Sequence, residues 1–179
     1  NFYIANNLED YSAKRNFDLG PPHHSVSKLS PYIRRRFISE TEIIDLISRK
    51  FKLRKVDKFI QEIFWRTYWR GWLELHPKVF DEYEKKISKY EILNKTGIKC
   101  FDNWTDELIE TGYLHNHARM WYASIWIFTL KRPWEEGAHF FSDHLLDYCP
   151  ASNTLGWRWV AGLQTIGKNY LAKSENIKK

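Results

Sequence analysis

Apolar positions recur at three- and four-residue intervals along most of this chain, and no stretch alternates apolar and polar over six residues as a half-buried strand would. The pattern predicts an all-α protein. Ser39 followed by Glu42 has the spacing of a capping box, opening a helix that runs to about Lys50. Val56, Phe59, Ile60, Ile63, Phe64 and Thr67 predict a longer helix over about 55–75, with Pro77 just beyond it. A third helix is expected over 102–111, closed by Gly112. A fourth, over 114–131, is apolar on nearly every side from Trp121 to Leu130 and so belongs at the centre of the core. A fifth starts near Pro133 or Trp134 and ends near Leu146, and a sixth covers about 151–162. Residues 1–28 lack periodicity and contain Gly20-Pro21-Pro22-His23-His24-Ser25, which reads as an irregular lead-in with a turn.

Length and composition narrow the class. A chain of 179 residues suits one domain spanning 1–179. Hydrophobic residues make up 43%, but charged residues (28%) break them up before any run reaches the roughly 18 residues a membrane helix needs. A soluble, cytoplasmic, monomeric protein without membrane attachment is expected. The aromatic share of 17% suits either a flat conjugated ligand or an aromatic core, and packing accounts for most of it. Cys100 and Cys149 stand far apart, against a disulfide scaffold or a zinc cluster. The net charge of +6, with Lys and Arg concentrated in 28–58 and again after 168, is what a polyanion-binding face requires. The start at Asn1, without a signal peptide, and the lysine-rich end over 173–179 suggest a segment of something longer.

Helical spacing groups the polar residues. Glu62, Trp65 and Arg66 share a face continued by Trp69, either to cap a polar aromatic ligand or as an exposed ion pair beside a core tryptophan. Asn116, Arg119 and Met120 share another. An amide and a guanidinium in so apolar a helix need partners, which points to a pocket unless that helix end lies in solvent. His115 and His117, two apart on a helix, point in different directions, and no carboxylate completes a metal set. No Gly-x-Ser-x-Gly elbow is present, which argues against hydrolytic chemistry, and there is no Gly-rich phosphate loop of the Walker or Rossmann type.

Five segments in order carry a resemblance: Ser27-Lys-Leu-Ser-Pro-Tyr32, Glu62-Ile-Phe-Trp-Arg66, Thr111 to Met120, Pro133-Trp-Glu-Glu136 and Asp147 to Trp159. The chain resembles the FAD-binding helical domain of the DNA photolyase and cryptochrome family from about Tyr11 to Trp159. The resemblance implies that Tyr11, Ser27, Leu29 and Ser30 approach the FAD phosphates and ribityl chain, with Lys28 where the family often has arginine. Glu62 and Arg66 belong to the same cofactor set. Asn116, Arg119, Asp147 and Asn153 are implied around the isoalloxazine, Asn153 next to N5. Cys149 stands where the family commonly has a second aspartate.

The same resemblance implies a substrate pocket of Glu62, Trp65, Asn116, Met120 and Trp159 for a flipped-out pyrimidine dimer in DNA. It also implies an electron-transfer chain containing Trp157 and Trp134. A third member is not assignable by the match, with Trp104, Trp121 and Trp126 as substitutes. Blue-light-driven dimer repair is the implied activity, and signalling to a protein partner, as in cryptochromes, is the alternative. The N-terminal α/β domain that carries an antenna pigment in family members has no counterpart here, and the helices after Trp159 are cut short, so such a domain or an antenna protein is an expected partner.

Overall fold

The computed structural model describes residues 8–87, 90–91, 95–165 and 167–177, and these contain helices and turns but no strand. They form two compact units, 1–68 and 69–179, divided within the longest helix, and each unit has its own core.

In the first unit a 3₁₀ turn, Leu8–Asp10, leads into α1 (Tyr11–Lys14), followed by α2 (Ser30–Arg34), α3 (Glu40–Lys50) and the start of α4 (Leu53–Leu75). The capping box forms as its spacing requires. Ser39 Oγ accepts from the Glu42 N–H at 3.1 Å, and Glu42 Oε2 accepts from the Ser39 N–H at 2.8 Å. Helical spacing then turns Ile43 and Ile47 of α3 and Val56, Phe59 and Ile63 of α4 onto Leu8, Leu29 and Ile33. Each such side chain taken fully out of water contributes about 1.5–3 kcal/mol. The lead-in is thus less irregular than its composition suggested. Tyr11 anchors the short α1 by meeting the Phe59 ring edge-on at 5.1 Å.

In the second unit α4 ends at Leu75, and α5 (Pro77–Lys86) begins at the proline expected only to lie beyond it. Proline lacks the N–H that a first helical turn leaves without an intrahelical partner, so one residue both stops α4 and starts α5. After α6 (Lys99–Thr111), closed by Gly112 at φ 67°, the expected 114–131 helix is shorter and divided. It begins at Asn116, because the His115 side chain caps it by accepting from the His117 N–H at 3.2 Å. As α7 it reaches Ser124, then widens into a π turn, Ile125–Thr129, closed by Leu130 N–H to Ile125 O at 2.9 Å. α8 (Trp134–His144), α9 (Pro150–Val160) and the short α10 (Ser174–Ile177) complete the unit. Its core is aromatic: Phe101, Trp104, Trp121, Tyr122, Trp126, Phe140, Phe141 and Trp157 are all buried. Most of the aromatic residues therefore do pack. Both cysteines are free thiols, and among the described residues no helix is long and apolar enough to cross a membrane.

The entry to α6 carries a pH-dependent element. Asp102 accepts from the Thr96 hydroxyl (2.7 Å), the Thr96 N–H (2.9 Å) and the Gly97 N–H (3.2 Å). The Thr96 hydroxyl bond is the main reason its pKa lies below the ordinary carboxylate value. A carboxyl with a depressed folded pKa stabilises above its unfolded value of about 4, and loses that contribution as pH falls through the folded one. Asp102→Ala is therefore expected to lower the urea midpoint at pH 7, and the gap to the unchanged protein should close in strong acid. A constant gap from pH 7 to pH 2 would contradict the assignment.

Candidate functional site

The polar centre of the second unit is built on α7, α9 and the segment between α8 and α9. Arg119 grips Asp147 with two parallel bonds, Nη1 to Oδ1 and Nη2 to Oδ2, both 3.0 Å, and its Nε donates to Leu114 O at 3.0 Å. The Asp147 side chain is only 4% exposed. Burial alone would pull the guanidinium pKa down, but the Asp147 charge and the two bonds outweigh it, so Arg119 is held protonated. Three of its five N–H donors are thus spent, and two remain. Tyr113 lies under the same guanidinium, its ring centre 5.5 Å away.

Asn116 and Arg119 share a helix face but not an environment. Arg119 is paired, as its apolar surroundings required. Asn116 sits in the exposed first turn of α7, its Nδ2 3.8 Å from Met120 Sδ, so for this residue the solvent-end reading holds. Asn153, in the first turn of α9, is buried and donates from Nδ2 to Ala138 O at 2.8 Å. Its side-chain oxygen is the acceptor end of that amide. Cys149 precedes α9 without capping it. Asn153 N–H reaches back to Cys149 O, and the Ala151 and Ser152 N–H groups are left without an intrahelical acceptor at the positive end of the helix.

Trp157 lies buried where α9 meets α8. Its ring packs edge-on against Phe141 (5.1 Å) and Trp126 (6.3 Å), and it fits only because residue 137 is glycine. A Cβ there would come within 2.2 Å of the indole. Trp134 begins α8 three residues earlier, on the same face, and stacks on Tyr83 at 5.3 Å. Of the three substitutes considered for the relay, Trp126 touches Trp157, whereas Trp104 and Trp121 stack on each other at 5.8 Å. Trp159 remains 37% exposed and stacks on Tyr170 at 5.4 Å.

The first unit carries the other candidates. Glu62 on α4 pairs with Arg15, while Arg66 Nε lies 3.9 Å from Glu40. Trp65 is not a core tryptophan: it is 47% exposed, braced edge-on by Tyr68 at 5.2 Å. Ser27 Oγ accepts weakly from the buried Leu29 N–H at 3.4 Å, and Ser30 opens α2. Lys28 adopts φ 51°, a left-handed conformation costly for a residue with a side chain and often kept where function needs it.

Arg15 escaped sequence reading, although it follows Tyr11 by four residues and so lies on the same face of a helical turn, the spacing that could have revealed it. Tyr170 and Gly137 were missed as well. Nothing local marks Tyr170 as the partner of Trp159, and a mid-helix glycine signals only that something approaches closely.

The FAD binding domain of DNA photolyase, taken as a family, matches residues 59–177. A deoxyribodipyrimidine photo-lyase of Agrobacterium fabrum is 30% identical over 89% of the chain, which spans 36% of that protein. The chloroplastic/mitochondrial cryptochrome DASH of Oryza sativa is 29% identical over 90% of the chain, against 30% of its own length. A solved bacterial class III photolyase from Agrobacterium tumefaciens superposes with a TM-score of 0.74 at 26% identity, covering 94% of this chain and 37% of that one. The chain belongs to the family of photolyase FAD-binding domains, a group that also takes in cryptochromes, and it spans about a third of the length of these curated relatives.

FAD is the cofactor of this family. The donor set of the second unit fits its flavin ring. Arg119 offers two unspent N–H donors beside a neutralising carboxylate, α9 offers uncapped backbone N–H groups, and Asn153 offers an amide oxygen.

Proposed function

We propose that the chain is the flavin-holding part of a photolyase-type lyase that splits pyrimidine dimers in DNA by light-driven electron transfer. The observation that carries this reading is the bidentate Arg119–Asp147 pair with Trp157 buried against α8 in the same unit. In this reading Tyr11, Ser27, Lys28, Leu29 and Ser30 hold the phosphates and ribityl chain, with Glu62 and Arg66 in the same cofactor set. Asn116, Arg119, Asp147, Cys149 and Asn153 surround the ring. The bound cofactor supplies the photochemistry, giving and taking back one electron.

The protein residues position and insulate. Arg119 keeps a fixed positive charge near the ring, which favours added negative charge there. Asn153, with Nδ2 engaged by Ala138, presents its oxygen as an acceptor for an N–H and so favours a protonated N5. Cys149 contributes no second carboxylate, which eases reduction to an anion. Trp65 and Trp159, both partly exposed, are flat surfaces on which unstacked bases can lie, Met120 offers them an apolar contact, and Glu62 and Asn116 bond the damaged bases. Trp157 and Trp134 return electrons to the cofactor. The basic segments bind DNA phosphates with an affinity that falls steeply with salt.

Illuminating the flavin-loaded protein with dimer-containing DNA is expected to restore intact pyrimidines. Trp65→Ala and Trp159→Ala should reduce repair per absorbed photon while leaving the flavin spectrum unchanged. Failure of the unchanged, flavin-loaded protein to restore any pyrimidines rules out the repair reading.

The likeness to the rice cryptochrome and the thiol at Cys149 favour a second reading, a photoreceptor that signals through a protein partner. There, light changes the flavin state and the affinity for the partner without altering DNA. Trp157→Phe abolishes photoreduction under both readings, so the DNA product separates them.

A further inference from the structure

Tyr83, Tyr90, Tyr122 and Tyr170 lie in or beside the aromatic cluster around Trp157, and they differ in whether a base accepts their proton. Tyr83 stacks on Trp134, but it is buried and its hydroxyl has no hydrogen-bond partner among the described residues. Among the described residues Tyr122 bonds only the Thr105 hydroxyl, at 3.2 Å, and the Tyr170 hydroxyl accepts from Trp121 Nε1 at 3.0 Å. Tyr90 instead donates to a carboxylate, Asp143 Oδ2, at 2.8 Å. His139 Nε2 lies 3.7 Å from the same oxygen, and Ser142 Oγ lies 3.4 Å from Oδ1. The Asp143 side chain is nearly half exposed, so a proton received there has a way to water.

Tyr90 is joined to Trp157 through packed rings. Trp157 meets Trp126, Trp126 lies nearly parallel to Phe140 at 6.4 Å, and Phe140 meets Tyr90 edge-on at 5.4 Å. Arg132 sits over Trp126 at 5.2 Å, but Glu136 pairs with it at 2.8 Å, so its charge does not bar a positive hole from that indole. The chemistry along the path is asymmetric. The buried Trp157 N–H has no acceptor among the described residues, so an electron lost from this indole leaves its proton behind and the charge moves on readily. A phenol gives up an electron easily only when its proton leaves at the same time, and a carboxylate within hydrogen-bond reach is what that requires.

We propose that Tyr90 is the electron donor that ends this relay, with Asp143 as its proton acceptor. The inference rests on the light-driven reading above, whose photoexcited, oxidised flavin is the oxidant. One electron leaves the Tyr90 ring and fills the hole on the indole. The phenolic O–H bond breaks, and its proton forms a new O–H bond on Asp143. The products are a neutral tyrosyl radical, a protonated Asp143, an indole restored to its starting state and a flavin reduced by one electron.

Two kinds of oxidation test this on the flavin-loaded protein. In the first, a laser flash is followed by transient absorption. In the second, azide radicals made by pulse radiolysis in the dark oxidise indoles without any part played by flavin photochemistry. In both, the indole radical is expected to give way to the narrow band of a tyrosyl radical, more slowly in deuterium oxide than in water. Tyr90→Phe and Asp143→Asn should each remove that band and prolong the indole radical by about tenfold or more. Asp143→Asn keeps the phenol, so its effect separates proton acceptance from packing. A tyrosyl band that persists in Tyr90→Phe, or indole decay unchanged in both variants, overturns the role of Tyr90. A flash that yields no radical in the unchanged protein, while azide oxidation still yields the Tyr90 radical, overturns the light-driven reading instead.

Discussion

Arg119→Leu is expected to cost about 3–5 kcal/mol of folding stability, because it leaves the Asp147 carboxylate buried without its cation. The loss is more than one ion pair. Both Asp147 oxygens lose a charged donor, and Leu114 O, just before α7, loses the Nε–H that holds it. Urea unfolding reads this directly. The double variant Arg119→Leu, Asp147→Leu should recover a good part of the loss, since it removes the stranded charge together with its partner. Flavin retention should behave differently. If the two remaining guanidinium donors face the ring, neither variant will hold FAD, even though the double variant folds. Unfolding of Arg119→Leu at the unchanged midpoint would mean that the pair does not tie α7 to the segment before α9.

Gly137→Ala should damage both stability and photoreduction by adding one methyl group. The new Cβ would lie 2.2 Å from Cη2 and 2.6 Å from Cζ3 of Trp157. Neither atom is the end of a flexible chain, so the whole indole or α9 must move, at about 1–3 kcal/mol for an overfilled core. Gly156 supplies the control. It is exposed on α9, and a methyl group there would have nothing within 4 Å, so Gly156→Ala should stabilise by about 0.4–1 kcal/mol through the unfolded chain. A displaced Trp157 should also slow flavin photoreduction in Gly137→Ala relative to Gly156→Ala. Equal rates in the two would show that electron transfer tolerates the shift.

The difference between those two glycines shows where sequence reading stops. Both lie inside helices, and only the fold reveals that one faces an indole. Features written in neighbouring residues were legible: the Ser39–Glu42 box, the Gly112 stop and the apolar faces of α3 and α4. The widening after Ser124 was not, because every residue from Trp121 to Leu130 suits a helix of either pitch. The start of α5 was hidden by a proline that reads first as an end. Within the candidate site, Arg119 was recognisable as needing a partner, because a guanidinium in so apolar a helix requires one, whereas Asp147 was named only by the resemblance to the family. The partners of Glu62 and Trp159 come from Arg15 and Tyr170, one 47 positions upstream and the other on a segment without periodicity, so spacing alone could not find them.

The π turn at Ile125–Thr129 has a consequence for comparing this chain with its relatives. A π turn holds one residue more than the α turn it replaces, and one residue advances a helix by about 100°. The residues of the turn itself are therefore out of phase with an uninterrupted helix, which ends there: Lys131 takes φ 54°, and Trp126 Nε1–H donates to Pro133 O at 2.9 Å, at the threshold of α8. A one-residue gap opened in an alignment at this point would mark a change of phase, with no side chain of the site lost.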